Sequence, residues 1–199
     1  MEDGRREETV NRIKESAICE FLEKGYSKAS LRSICQRAHV TTGAFYFSFQ
    51  SKEEQLSSIL APLAEMYESM IVSFREMETA HPEMGVEIDR RLMGFLMEHR
   101  REAIIMLEKC EGSCYAGYSD KVRAMMYTSF HTYFTKMLGH VPDERLLNIL
   151  VSERLQGCIE IIKGDYDMKD AMYLVEKTGI YAKGGTDKLI EDLLKKEHH

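Results

Sequence analysis

The sequence predicts an all-α fold, and three observations carry that expectation. Apolar residues recur at helical spacing along almost the whole chain of 199 residues. Only three prolines interrupt it, at Pro62, Pro82 and Pro142. Between residues 30 and 49 the pattern gives a short helix, a tight turn and a second short helix, which is a helix-turn-helix by spacing and capping.

The elements follow in order. Val10, Ile13, Ala17, Ile18, Phe21 and Leu22 fall on one face of a first helix, which Gly25 can terminate. Ser30 is placed to cap a second helix, with Leu31, Ile34, Cys35 and Ala38 on its inner face. His39 and Val40 form the turn. Thr41 caps the third helix, and Val40 with Phe45 can staple its entry. After a break at Gln50, Ser51 and Glu54 form a capping box. A long fourth helix then runs to about Met77, with a kink expected at Pro62. "TAHPEMG" (79–85) reads as a loop. Further helices are expected near 85–98, 100–111, 119–138, 143–163, 168–182 and 186–196. The closing "EHH" reads as a tag remnant.

Composition narrows the class. Hydrophobic residues make up 44% and charged residues 30%, so the chain can build a core and is not read as disordered. No run of about 18 apolar residues suggests a membrane span. "MEDGRREET" is too polar for a secretion signal. Five cysteines without such a signal predict reduced thiols in the cytoplasm. The net charge of −6 is uneven. Residues 1–52 carry nine Lys/Arg against seven Asp/Glu, and Lys24 to Lys52 contains no acid at all. A locally basic segment on an acidic body fits a nucleic-acid partner.

Phe45, Tyr46, Phe47 and Phe49 stand too close together to share one buried helix face. Phe45 and Phe49, four apart, are expected to point inward. Tyr46, Thr41 and Thr42 lie off that face, at the part of such a motif that meets base edges in the major groove. Gly43 allows close backbone approach.

The stretch "ASLRSICQRAHVTTGAFYFSFQSKEEQL" resembles the DNA-binding domain of TetR-family transcriptional regulators. Ser30, Ile34, Ala38, Val40, Thr41, Gly43, Ala44, Phe45, Tyr46, Phe49, Ser51 and Lys52 carry the resemblance in register. It covers roughly residues 8–60, under a third of the chain. His39 departs from the family's usual glycine, Thr42 from a frequent lysine, and Phe47 and Ser48 from His or Tyr residues that often touch phosphate. The resemblance implies a helix-turn-helix domain over 1–52 and a helical ligand-binding and dimerisation domain over 53–199. It implies contacts to a double-stranded DNA operator from Lys28, Ser30, Thr41, Thr42, Gly43, Tyr46, Ser48 and Lys52. Arg32 is a weaker candidate.

The same resemblance implies a small-molecule pocket in the middle of the chain. Met106, Cys110, Tyr115, Tyr118 and Phe130 are its candidates; the tyrosines follow the break "CEGSCYAGYSD". Each of them is individually more typical of core than of a site. The apolar run Leu146, Leu147, Leu150, Val151, Leu155, Cys158, Ile159 and Ile162, with Gly157 for close approach, is a candidate dimer face together with 168–182. No phosphate loop, nucleophile elbow or metal-ligand helix motif argues for an enzyme, a cofactor or a metal. The expectation is a homodimeric repressor released from DNA by a ligand. Two alternatives stay open: a thiol or metal sensor of the same fold using Cys110 and Cys114, and a helical module that no longer binds DNA.

Overall fold

The computed structural model describes residues 2–196, so the expected tag remnant lies outside the described residues. These residues form nine α-helices and one short 3₁₀ turn, without strands. The helices are α1 (Glu2–Lys24), α2 (Leu31–Arg37), α3 (Thr42–Ser48), α4 (Lys52–Ala80), α5 (Gly85–Glu98), α6 (Arg100–Glu108), α7 (Tyr118–Leu138), α8 (Glu144–Lys163) and α9 (Met168–Lys196).

Local chemistry explains the first four. Ile13, Ala17, Ile18 and Phe21 are buried on one stripe of α1, each large side chain contributing about 1.5–3 kcal/mol. Gly25 ends α1 at φ 74°, donating its N–H to Phe21 O at 2.8 Å. The Ser30 hydroxyl accepts from Ser33 N–H at 3.0 Å, which caps α2. The close of α2 is a Schellman motif. Val40 N–H bonds Cys35 O at 3.0 Å, and His39 N–H bonds Gln36 O at 3.2 Å. That motif needs a left-handed residue at His39, which sits at φ 55°. Thr41 caps α3 through its hydroxyl, accepting Ala44 N–H at 3.1 Å. At α4, Ser51 Oγ accepts Glu54 N–H at 3.0 Å as expected of a capping box. The return arm lands one residue early, with Glu54 Oε2 accepting from Gln50 N–H at 2.5 Å.

By its internal contacts the chain divides into two compact units. The first comprises residues 1–65 and 99–119; the second, 66–98 and 120–199. The grouping of residues 99–119 with the N-terminal helices has a visible cause. Residues 99–119 are tied to the N-terminal helices by Tyr26 N–H to Lys109 O at 2.8 Å and by an Arg101–Glu15 ion pair at 2.8 Å. Ile105 and Met106 of α6 are almost fully buried.

In the first unit α1 packs on α2 and α6, and α2 packs on α3. Gln55 of α4 donates to Ile13 O at 3.2 Å, and Lys14 to Ser58 O at 3.1 Å, which ties α4 to α1. In the second unit α5 lies along α9, and α8 meets both. An ion pair between Arg154 of α8 and Asp89 of α5 joins two of these helices. A cluster of Phe134, Leu138, Leu147 and Ile190 gathers α7, α8 and the end of α9.

Three boundaries differ from expectation. Helix α4 continues to Ala80, and Pro82–Met84 form a 3₁₀ turn, so 79–85 is not an open loop. Helix α6 stops at Glu108. The helices expected at 168–182 and 186–196 are one, α9. Gly184 and Gly185 stay helical because the packing of Ile190, Leu189 and Leu193 against the Phe134 cluster outweighs their poor propensity.

Candidate nucleic-acid interface

Helix α3 splits cleanly into two faces. Phe45 is wholly buried and Phe49 is 6% exposed, their ring centroids 5.7 Å apart. Tyr46 is 56% exposed and Phe47 71% exposed. Thr41, Thr42 and Gly43 are exposed beside Tyr46 at the start of α3. A Cβ at Gly43 would meet nothing nearer than Thr41 Oγ1, at 3.7 Å. The chain's own packing therefore does not demand a glycine there, and the open space lies outside the molecule.

The other candidate contacts fall into different settings. Lys28 and Ser30 are exposed. The Ser48 hydroxyl turns back on its own helix, donating to Ala44 O at 3.5 Å. Lys52 turns inward. Its ammonium donates to Tyr26 O at 2.7 Å and Ala29 O at 2.9 Å, and sits 4.2 Å from the centre of the Tyr26 ring. Partial burial lowers its pKa. Two of its three donors are thus committed to fixing the loop between α1 and α2.

Two carboxylates that sequence reasoning did not single out hold this frame. Glu20 is fully buried. It accepts from Lys24 at 2.7 Å, Ser33 Oγ at 2.8 Å and Ser30 N–H at 3.4 Å. Burial alone would raise its pKa, but these bonds outweigh burial and leave it below the usual carboxylate range. Its signal was in the sequence: position 20 shares the stripe of Ile13, Ala17 and Phe21. Glu53 joins two connections, accepting from Tyr26 OH at 2.5 Å and Cys114 N–H at 2.6 Å. Burial opposes its ionisation, yet the bonds from Cys114 and Tyr26 prevail and its pKa is lowered. The Tyr26 phenol is correspondingly pushed up by burial and by Glu53.

The ligand candidates separate. Met106 and Cys110 are buried in the first unit, as is Tyr118, whose hydroxyl donates to Ala64 O at 3.4 Å. Tyr115 is half-buried, its ring 6.3 Å from that of Tyr118. Phe130 belongs to the second unit, stacked on Phe134 at 6.4 Å. An open groove of about 530 Å³ lies between α1 and the α2–α3 turn, lined by Glu7, Glu8, Arg12, Glu15, Arg37 and His39 among others. None of the five ligand candidates lines it.

Thiol chemistry finds little support at Cys110. Burial pushes its pKa up to about 12, and its Sγ–H donates to Ile105 O at 3.1 Å. Cys114 is exposed, 3.7 Å from Ser57 Oγ, and its pKa is also raised. Such thiols are poor nucleophiles and poor ligands. Among the described residues no group of three or more His, Cys, Asp and Glu could hold a metal ion. Among them, too, no helix is long and apolar enough to cross a membrane.

Comparison with known proteins places these features. Residues 13–58 match the family of bacterial regulatory proteins of the tetR type. A 55-residue stretch is 44% identical to the HTH-type transcriptional regulator SrpR of Pseudomonas putida, covering 28% of this chain and 26% of that protein. The matched stretch therefore spans about a quarter of that relative. Solved structures extend the likeness to the whole fold. A transcriptional regulator from Aquifex aeolicus VF5 superposes with a TM-score of 0.56 at 24% identity, over 85% of this chain and 96% of that one. NalD, the secondary repressor of the MexAB-OprM multidrug efflux pump in Pseudomonas aeruginosa, superposes at 0.52 and 22% identity, over 89% and 95%. Residues 13–58 are thus similar to the DNA-binding segment of tetR-family regulators, and the fold of the chain is like that of solved members of that family.

Proposed function

We propose that the protein is a homodimeric repressor that binds an operator in double-stranded DNA and leaves it when a small molecule binds. The observation that carries the reading is the two-faced α3: buried Phe45 and Phe49 anchor it, while Tyr46, Thr41, Thr42 and Gly43 stand outward. On this reading those four residues face base edges and nearby phosphates, with Lys28, Ser30 and the helix caps adding backbone contacts. Ser48 and Lys52 serve mainly to hold the motif in shape, since both are bonded internally.

Exposed apolar side chains on the last two helices support the dimer. Ile149 is 58% exposed, Tyr173 60%, Ile180 54% and Tyr181 84%. An apolar face of that kind favours burial against a second copy. Two copies would set two recognition helices about 34–36 Å apart, one turn of DNA. A ligand that prefers the DNA-incompetent state would weaken operator binding through a coupling of about 1–3 kcal/mol. The repressor role named for NalD is the precedent for that sign. The protein would work in the cytoplasm, where its cysteines stay reduced.

Selection of bound fragments from the source genome tests this. The expected product is a near-palindromic site, bound by two copies of the chain, with half-sites about one helical turn apart. Recovery of no preferred sequence, or binding by a single copy, would refute it.

A further inference from the structure

Phe47 is the most exposed aromatic of α3, and the DNA-binding reading gives it no task. A phenyl ring cannot donate to phosphate, yet it stands beside Tyr46 on the outward side of the helix. What lies over it is a charge. The guanidinium carbon of Arg6, from the N-terminal part of α1, is 5.0 Å from the centre of the Phe47 ring. Stacking engages the flat face of a guanidinium and leaves its in-plane N–H donors free. Those donors form the fork that matches phosphate oxygens.

The charges of α1 are also sorted by direction. Glu7 and Glu8 line the groove beside Arg12, Arg37 and His39, whereas Arg6 reaches α3. The acidic residues next to Arg6 in sequence thus face another side of the helix from it.

We propose that Arg6, held over the Phe47 ring, is a DNA-phosphate contact delivered by α1 to the edge of the recognition helix. The inference rests on the DNA-binding reading of α3. It assigns Phe47 a positioning role and Arg6 a direct contact.

Salt titration of DNA binding tests it, using the selected operator and a random-sequence duplex. Each phosphate contact adds about 0.9 to the slope of log K against log salt. Arg6→Ala should lower the slope by about that amount per half-site and weaken both duplexes alike. Phe47→Ala should lose part of the same affinity and add nothing in the Arg6→Ala background. Both side chains are exposed, so the thermal melt should not move. An unchanged slope in Arg6→Ala would overturn the proposal, as would independent, additive losses from the two substitutions. Wild-type protein that binds neither duplex would instead sink the DNA-binding reading itself.

Discussion

Replacing Glu53 by alanine removes one acceptor group from two donors at once. The first donor is Tyr26 OH at 2.5 Å, on a residue only 7% exposed; the second is Cys114 N–H at 2.6 Å, on an exposed residue. Water can replace Glu53 at Cys114, so that bond contributes little. At Tyr26 it cannot enter freely, and a buried donor left unpaired costs about 1–3 kcal/mol. With the charge-assisted bond itself, the expected loss is about 2–4 kcal/mol. For a chain of this length that lowers the melting temperature by roughly 5–12 °C. The pH dependence has a definite sign. A depressed carboxylate pKa stabilises the fold above its ordinary value of 4.5, and that contribution is lost as pH falls below it. The variant should therefore melt earlier than wild type at pH 7 and converge with it in acid. Urea melts of Glu53→Ala, Tyr26→Phe and the double variant supply the assay. The account requires the two losses to be non-additive, because they share one bond. Additive losses, or a Glu53→Ala melt within about 0.5 kcal/mol of wild type, would refute the reasoning.

Other expectations are simpler. Phe45→Ala empties a fully buried site and should cost about 3–5 kcal/mol, visible as loss of a folded helix-turn-helix in denaturant melts. His39→Val should destabilise by about 1–2 kcal/mol, because a β-branched residue resists the left-handed turn at φ 55°, whereas His39→Gly should not. Glu78 has its pKa raised by burial and by Asp89, against the pull of Arg154 and Lys183. A raised carboxylate pKa favours the fold at low pH and weighs against it as pH rises through the folded value. Glu78→Gln should therefore raise the melting temperature at neutral pH and change little near pH 4; a neutral-pH loss would contradict this.

The legible part of the fold was the part written in caps. Ser30, Thr41 and Ser51 announce their helices by local hydrogen bonds, which need only a few neighbouring residues. The return of residues 99–119 to the N-terminal unit was not legible, since it depends on long-range bonds such as Tyr26 to Lys109. Pattern reading likewise split α9 at Gly184 and Gly185, where tertiary packing overrides propensity. At the candidate interface, the division of α3 into inward Phe45 and Phe49 and outward Tyr46 followed from spacing alone. The inward turn of Lys52 did not: a lysine at a helix start reads as solvated until the carbonyls of Tyr26 and Ala29 are seen to close on it. Nor could spacing show Arg6 over Phe47, a contact between segments far apart in the chain.

The most direct test of the central claim compares wild type with Tyr46→Ala on the selected operator, with thermal melts run in parallel. Tyr46 is 56% exposed, so the melt should move by no more than about 0.5 kcal/mol. Operator binding should fall to the level of random DNA while the fold is retained. Wild-type affinity in Tyr46→Ala would show that α3 does not read the operator through this face.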